Sequence, residues 1–341
     1  MKIVLLTNKL INGGGERVLQ HIVKAVVKAK GSISIIFLGR KACIDPMIVA
    51  EMEREGARVV FPNNFMLIFR LLRTATTIHL YNLNVYVKAL PFLPLLKNCL
   101  IISHVHGAAG SANKFVRMAF CSKWNPSDYI VFVSSAGKAS YDIKRGIIVS
   151  NPVEFPLIKE NNKSVDGDHL RMISVNRLAP IKRVSTQIRI LHKLRRDQGI
   201  DATLDVVGGG DEYQSLLELT NKLGLNPYVH FLGGVDHREV LDLIGSYDLL
   251  IATSAHEGLG ISLIEALGAG IPVVASEIPA FKEVENIGGG VLFIDPELEE
   301  LSAKRIAEAI REEKLQTANV ELIRNSFRSE KFADKIMGLY K

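Results

Sequence analysis

The sequence predicts two doubly wound α/β domains, each a parallel sheet with helices on both faces, and three observations carry the prediction. Short apolar runs of strand length, KIVLLT, SISIIFLG, CLIISHVH and YIVFVS, alternate with longer stretches of helical period such as residues 16–28. After the short run GIIVS, the polar, turn-rich stretch NPVEFPLIKENNKSVDGDH interrupts this rhythm, which then restarts with RMISV, TLDVVG, YVHFLG, DLLIAT and PVVAS. At 341 residues and 48% hydrophobic, the chain is long enough to bury two sizeable cores. The expected organisation is therefore a first domain over 1–151, a linker over 152–168, a second domain over 169–320 and a C-terminal helix over 321–341. That helix reads as one amphipathic segment from Val320 to Tyr340, with Ile323, Phe327, Phe332, Ile336 and Leu339 on its apolar face, able to pack back toward the first domain.

Composition narrows the function classes. Cys43, Cys99 and Cys121 are an odd, widely spaced set without a CxxC, which suggests neither a disulfide framework nor a zinc site. The opening MKIVLLTNK has too short an apolar run for a signal peptide, and no run reaches the length of a membrane span, so a cytoplasmic protein is expected. Charge divides unevenly: residues 1–150 hold 20 Lys and Arg against 7 Asp and Glu, and the remainder holds 22 against 29. Between Glu55 and Asp128 there is no acidic residue, while Arg58, Arg70, Arg73, Lys88, Lys97, Lys114, Arg117 and Lys123 fall in that interval. An anionic partner for the first half follows from this asymmetry.

In open parallel sheets ligands bind beyond the carboxyl ends of the strands, so the loops after the strands carry the chemistry. KIVLLT leads to Asn12-Gly13-Gly14-Gly15-Glu16-Arg17, glycines that either allow close approach to a phosphate or make a tight turn into a helix. LDVVGGGDEY repeats the arrangement at Gly208 to Gly210. RMISV leads to Arg177 and Lys182, two cations spaced to clamp a diphosphate or to sit solvated at a turn. CLIISHVHG puts His104 and His106 on one face of a strand, with His106 at its end beside the crevice. Two histidines without a nearby carboxylate are too few ligands for a metal, and the Asp166-Gly167-Asp168 of the linker follows no buried strand.

The stretch HEGLGISLIEALGAGIPVVAS places Glu257 and Glu265 among glycines and apolar residues. Ser254-Ala255-His256-Glu257 and Ser262-Leu263-Ile264-Glu265 both fit a helix-capping box. Glu265, however, is surrounded by Ile261, Leu263, Ile264, Ala266 and Leu267, and a carboxylate on a buried helix needs a protein cation or a ligand's hydroxyls. Gly258 and Gly260 precede the helix, where free N–H groups and the dipole make an anion site. Phosphate and hydroxyls together describe a sugar nucleotide.

With these pieces assembled, the chain resembles the retaining glycosyltransferases of family 4, which have the GT-B fold of two Rossmann-like domains facing across a cleft. Residues 257–265 match that family's Glu-x7-Glu motif and EALGAGIPVVAS its sequel; Arg177 and Lys182 match its Arg-Leu-x-x-x-Lys, with Asn176 and Arg183 standing where flanking glycines are common. NGGGERV, VVGGG and the base-binding turn FLGGV, residues 231–235, complete the match in the family's order. The resemblance implies that Arg177 and Lys182 hold the donor diphosphate and stabilise the leaving group. It implies that Glu265 accepts hydrogen bonds from the ribose, that Glu257 lies by the donor sugar, and that Gly233 and Val235 meet the base. Backbone N–H groups at Leu259, Gly260 and Ile261 would face sugar or phosphate, Gly14 and Gly15 would approach from the first domain, and His106 would line the sugar pocket. The implied reaction is a same-face transfer of a hexose-type sugar from a UDP- or GDP-sugar, with neither metal, cofactor nor protein nucleophile.

The first domain of such enzymes usually binds the acceptor. Here FMLIFRLLR (65–73) and NKFVRMAFCSKW (113–124) mix basic and large apolar residues, as core helices with snorkelling cations or as a surface for an anionic membrane. The expectation is a glycan or lipid-linked acceptor in cell-surface polysaccharide, O-antigen or lipopolysaccharide synthesis, at the inner face of the cytoplasmic membrane. Rival readings are a sugar-nucleotide epimerase of the same fold and an NADP oxidoreductase, with Arg40 as a 2′-phosphate reader but Val18 at the third fingerprint position. A nucleic-acid-binding protein would use the basic half, but no recognition motif supports it and no nucleic-acid partner is expected.

Overall fold

The structure, a computed structural model, describes the chain except residues 12, 13, 63, 94, 95, 97, 98, 123, 157–168 and 341, and the side chains of 14–16, 65 and 111. Asn12, Gly13, Lys97, Lys123, the Asp166-Gly167-Asp168 triplet and most of the expected linker therefore lie outside the described residues. The chain divides into two units, residues 1–152 with 327–341, and residues 153–326.

The first unit contains strands β1 (Lys2–Thr7), β2 (Ser32–Phe37), β3 (Arg58–Val60), β4 (Thr77–Leu80), β5 (Leu100–Val105), β6 (Tyr129–Phe132) and β7 (Ile147–Ile148). They pair in parallel in the order β3-β2-β1-β4-β5-β6-β7. Helices α1 (Gly14–Lys28) and α2 (Pro46–Arg54) pack on one face with the C-terminal α14 (Ser329–Leu339), burying Leu19, Ile22, Val26, Met52, Phe332, Ile336 and Tyr340. The other face carries α3 (Phe65–Leu72), α4 (Leu83–Ala89), α5 (Lys114–Cys121) and the short α6 (Ser135–Ser140), over Leu72, Tyr86, Phe120 and Tyr141.

The second unit contains β8 (Leu170–Val175), β9 (Ala202–Val207), β10 (Val229–Gly233), β11 (Leu249–Ala252), β12 (Val273–Ser276) and β13 (Val291–Ile294), parallel in the order β10-β9-β8-β11-β12-β13. Helices α7 (Val184–Arg196), α8 (Tyr213–Lys222) and α12 (Glu299–Arg311) bury Ile188, Leu191, Leu216, Ile306 and Ala307 against one face. The remaining helices are α9 (His237–Ile244), α10 (Ile261–Gly268), α11 (Pro279–Gly288) and α13 (Val320–Ser326). Counted from its first strand, this sheet has the strand order 3-2-1-4-5-6, and the order reverses between β8 and β11. That switch point is where a doubly wound sheet binds its ligand.

Three features differ from the expectation. The strands β3, β4 and β13 are additional to the expected runs: β3 has only three residues, β4 buries the polar Thr77 and His79 beside Ile78 and Leu80, and β13 is the four-residue apolar run VLFI. The C-terminal segment is two helices, α13 and α14, because Arg328 is extended (φ −68°, ψ 148°). Ile323 of α13 then packs in the second unit, beside Gly288, while Phe332, Ile336 and Tyr340 serve the core of the first. The described start of the polar stretch is also packed rather than solvated: Pro152, Val153 and Pro156 are buried, and the Phe155 ring leaves no room for a Cβ on Gly268.

Candidate active site

Two neighbouring strands at the switch point, β8 and β11, lead into the loops that hold Arg177, Lys182, Glu257, Leu259 and Gly260, and into α10 with Ile261 and Glu265. After β8 the chain runs through Arg177 to a single 3-10 turn at Pro180–Lys182. After β11 it runs through Thr253 to Gly260, where α10 starts. The loops are sewn together: Ala255 N donates to Ile181 O at 2.8 Å, and the Thr253 hydroxyl lies 3.1 Å from Lys182 O and 3.0 Å from Arg183 O. This stitching brings Lys182 Nζ onto Glu257 Oε1 in a direct, mostly buried ion pair. The Ser254 hydroxyl donates to the same carboxylate oxygen at 2.7 Å.

A second set of contacts sets the Arg177 loop. Asn176 N donates to Val207 O and Leu178 N to Gly209 O, both at 2.9 Å, so the glycine loop after β9 lies flat against it. A Cβ on Gly208 would stand 1.8 Å from Asn176 O, and one on Gly210 would stand 2.2 Å from Leu178 O. Both glycines also have positive φ, +127° and +155°. Close approach of two backbones is thus what these glycines supply here. Arg177 itself is exposed, with no ion pair among the described residues.

The capping reading of the two glutamates does not hold. Glu257 lies in the loop before α10 and bonds Lys182 and Ser254 through its side chain, and the N-cap of α10 is Gly260, left-handed at φ +86° with no side-chain cap. A Cβ there would also meet the Phe281 ring at 2.5 Å. Glu265 sits inside α10, 3% exposed, where His237 Nε2 reaches Oε1 at 2.7 Å. The protein itself therefore supplies a donor to this buried acid, from a residue that sequence reading did not single out. The only signal was its place two residues after the Gly233–Val235 turn.

Arg183 occupies the N-cap of α7 with φ +52° and ψ 43°, the left-handed conformation that explains why a glycine suits this position. Its Nη2 pairs with Glu297 at 2.8 Å.

Gly233 ends β10 and Val235 lies in the turn before α9, both in the second unit, while Gly14, Gly15 and His106 belong to the first. Helix α1 opens at Gly14 and Gly15. His106 follows β5 and its ring lies 4.1 Å from that of His104 and 4.2 Å from that of Tyr81, centroid to centroid. His104 stacks in turn on His79 at 5.3 Å, and His79 Nδ1 is 2.6 Å from the Tyr340 hydroxyl on the C-terminal segment. Both ring nitrogens of His104 and of His106, and Nε2 of His79, are sealed from solvent and have no hydrogen-bond partner among the described residues. Burial holds all three histidines neutral, with pKa values pushed down to about 3 for His79 and His106 and well below the ordinary range for His104. Among the described residues no group of three His, Cys, Asp or Glu is arranged to hold a metal.

Comparison with known proteins places this geometry. Over its whole length the chain is similar to Anabaena HepE, solved with UDP and glucose, at a TM-score of 0.79 and 17% identity over 99% of this chain and 98% of that one. The fold class is GT-B, with two parallel-sheet α/β domains. In sequence, it is 27% identical to the N-acetyl-alpha-D-glucosaminyl L-malate synthase of Bacillus anthracis over 173 residues, 50% of this chain and 44% of that protein. It is 30% identical to a GDP-mannose-dependent alpha-(1-6)-phosphatidylinositol monomannoside mannosyltransferase of Mycobacterium tuberculosis over 154 residues, 43% of this chain and 38% of that protein. The aligned part is thus less than half the length of these curated relatives. Residues 158–326, which include Arg177, Lys182, Glu257 and Glu265, match the family of glycosyl transferases group 1, and this part of the chain carries that family's sequence.

Proposed function

We propose that the protein is a retaining glycosyltransferase of family 4 that moves a hexose-type sugar from a nucleoside-diphosphate sugar to a glycan or lipid-linked acceptor. The observation that carries this reading is the Lys182–Glu257 pair at the switch point of the second sheet, one loop from the exposed Arg177. A donor diphosphate draws Lys182 from Glu257, and Arg177 joins it in neutralising the charge that develops on the leaving phosphate. Glu257, released, accepts from hydroxyls of the donor sugar. The first N–H groups of α10, from Gly260 and Ile261, face the same anion. The departing phosphate oxygen takes the acceptor's proton as the new bond forms on the face from which the nucleotide leaves, so no protein nucleophile, metal or cofactor enters. The relatives' names support nucleotide-sugar use, with UDP at HepE and GDP-mannose at the mycobacterial enzyme.

The acceptor side rests on a different surface. On α5, Phe115 is 74% exposed and Met118 66%, and Trp124 just beyond is 80% exposed, with the exposed Lys114 and Arg117 beside them on the helix. Met66, Arg70 and Arg73 line the exposed side of α3, which packs on the same face of the sheet as α5. No helix of the described residues is long and apolar enough to cross a membrane. This layer, in the acid-free interval, suits the surface of an anionic bilayer in cell-surface polysaccharide or lipopolysaccharide synthesis.

Thermal-shift screening with UDP, GDP, ADP and their sugars tests the donor half, since binding raises apparent stability by mass action. Stabilisation by one nucleotide sugar is expected, and stabilisation by none overturns the reading. Flotation with anionic vesicles at low salt tests the acceptor half, and protein that stays at the bottom of the gradient removes the membrane.

A further inference from the structure

Glu265 lies on a helix whose neighbouring positions are apolar, and an ionised carboxylate there needs a fixed donor. That donor is His237, the first residue of α9, whose side chain is 15% exposed. Its Nε2 meets Glu265 Oε1 at 2.7 Å, and its other nitrogen faces Glu154 Oε2 at 3.6 Å. The start of α9 is itself pinned, because the Asp236 side chain accepts from Arg238 N at 2.9 Å. The imidazole is thus anchored on Glu265 by one hydrogen bond, with the Glu154 carboxylate beyond hydrogen-bond reach of its other nitrogen.

We infer that His237 is a positioning residue for nucleotide recognition, occupying Oε1 of Glu265 so that Oε2 is the oxygen presented to the ligand's hydroxyls. This rests on the proposal that Glu265 accepts from the ribose. A carboxylate bonded through one oxygen has its plane set, and its remaining oxygen becomes a directed acceptor instead of a rotating one. The placement also joins two parts of the same recognition surface. His237 follows Val235 by two residues, so the turn that would meet the base and the acid that would meet the ribose are linked through one short stretch of chain.

The test is ribose discrimination. Calorimetry on the full chain identifies which of UDP, GDP and ADP binds, then compares that nucleotide with its 2′-deoxy and 3′-deoxy forms. The wild type is expected to prefer the ribonucleotide by about tenfold or more, the scale of a hydrogen bond to a charged group. In His237→Ala the preference falls to about twofold, as in Glu265→Ala, with no further loss in the double variant. His237→Gln, whose amide can donate from a similar position, recovers most of it. His237→Phe keeps the ring volume without a donor and carries the same test if His237→Ala does not fold. A donorless variant that melts earlier but keeps the wild-type preference makes His237 a structural brace and overturns the inference. So does a further loss in the double variant, which would have His237 acting on its own. A wild type that binds a nucleotide without distinguishing the deoxy forms overturns it through Glu265, whereas a wild type that binds no nucleoside diphosphate overturns the proposed function as well.

Discussion

The two units treat buried polar groups in opposite ways. In the first, His79, His104 and His106 form a sealed stack whose ring nitrogens, apart from the one facing Tyr340, have no partner among the described residues and which burial keeps uncharged. In the second, each site carboxylate has its own donor: Glu257 has Lys182 and Ser254, and Glu265 has His237. Neutral rings can be buried without a counter-charge, whereas a buried carboxylate needs a donor, and each of these two has one. The difference separates a stack that burial keeps uncharged from acids that are matched residue by residue.

The sharpest way to break that comparison is to remove the cation paired with Glu257. Lys182→Ala is expected to lower the rate of sugar transfer by about 10²–10³-fold, the scale of a lost leaving-group donor, with the circular-dichroism spectrum unchanged. Wild-type turnover in this variant would take Lys182 out of the mechanism. Next in size is the support beneath Arg177. Gly208→Ala forces a Cβ to within 1.8 Å of Asn176 O at φ +127°, and should destabilise the second unit by about 3 kcal/mol in denaturant melts.

The histidine stack makes the first unit sensitive to acid. The unfolded chain binds protons on these residues near the ordinary histidine value of 6.5, while burial holds His79 and His106 in the folded chain down to about 3. Stability from the neutral rings is therefore complete above about pH 6.5 and is lost as pH falls toward 3. Melting temperatures measured over that interval should fall less steeply in His104→Leu, which removes one proton-binding site and two unpartnered nitrogens. An unchanged slope would mean that the stack is already hydrated or protonated. The smallest effect is expected at Arg183, left-handed at φ +52°. Arg183→Gly should raise stability by about 1 kcal/mol, because its ion pair with the mostly exposed Glu297 contributes little. A loss instead would show that the Arg183 side chain is needed.

Where the residues of the candidate site fall in the second unit was legible from spacing. Arg177, Lys182, Glu257 and Glu265 lie in loops and a helix that follow strands with clear apolar runs, and a doubly wound sheet brings such loops to one edge. The burial of Glu265 was also legible, since Ile261, Leu263, Ile264, Ala266 and Leu267 surround it on nearly every side of its helix. His237 was not, because a histidine after a turn looks the same in sequence whether it is solvated or bonded to an acid 28 residues later. Gly208 and Gly210 showed the same limit from the other side. A glycine cluster after a strand fits a phosphate loop and a backbone packing site equally, and here the contact is with Asn176 and Leu178.

By itself the sequence determined the alternation of strand and helix, the division into two α/β domains, the unbalanced charge of the halves and the positions of the charged site residues. These depend on local periodicity and on residue type, which a chain carries before it folds. Only the tertiary structure decided which donor satisfies each glutamate, that the histidines on β4 and β5 and just beyond β5 stack out of water, and that the C-terminal segment breaks between the two units. Those outcomes depend on partners far apart in sequence, and a buried polar group takes whichever partner the packing brings within reach.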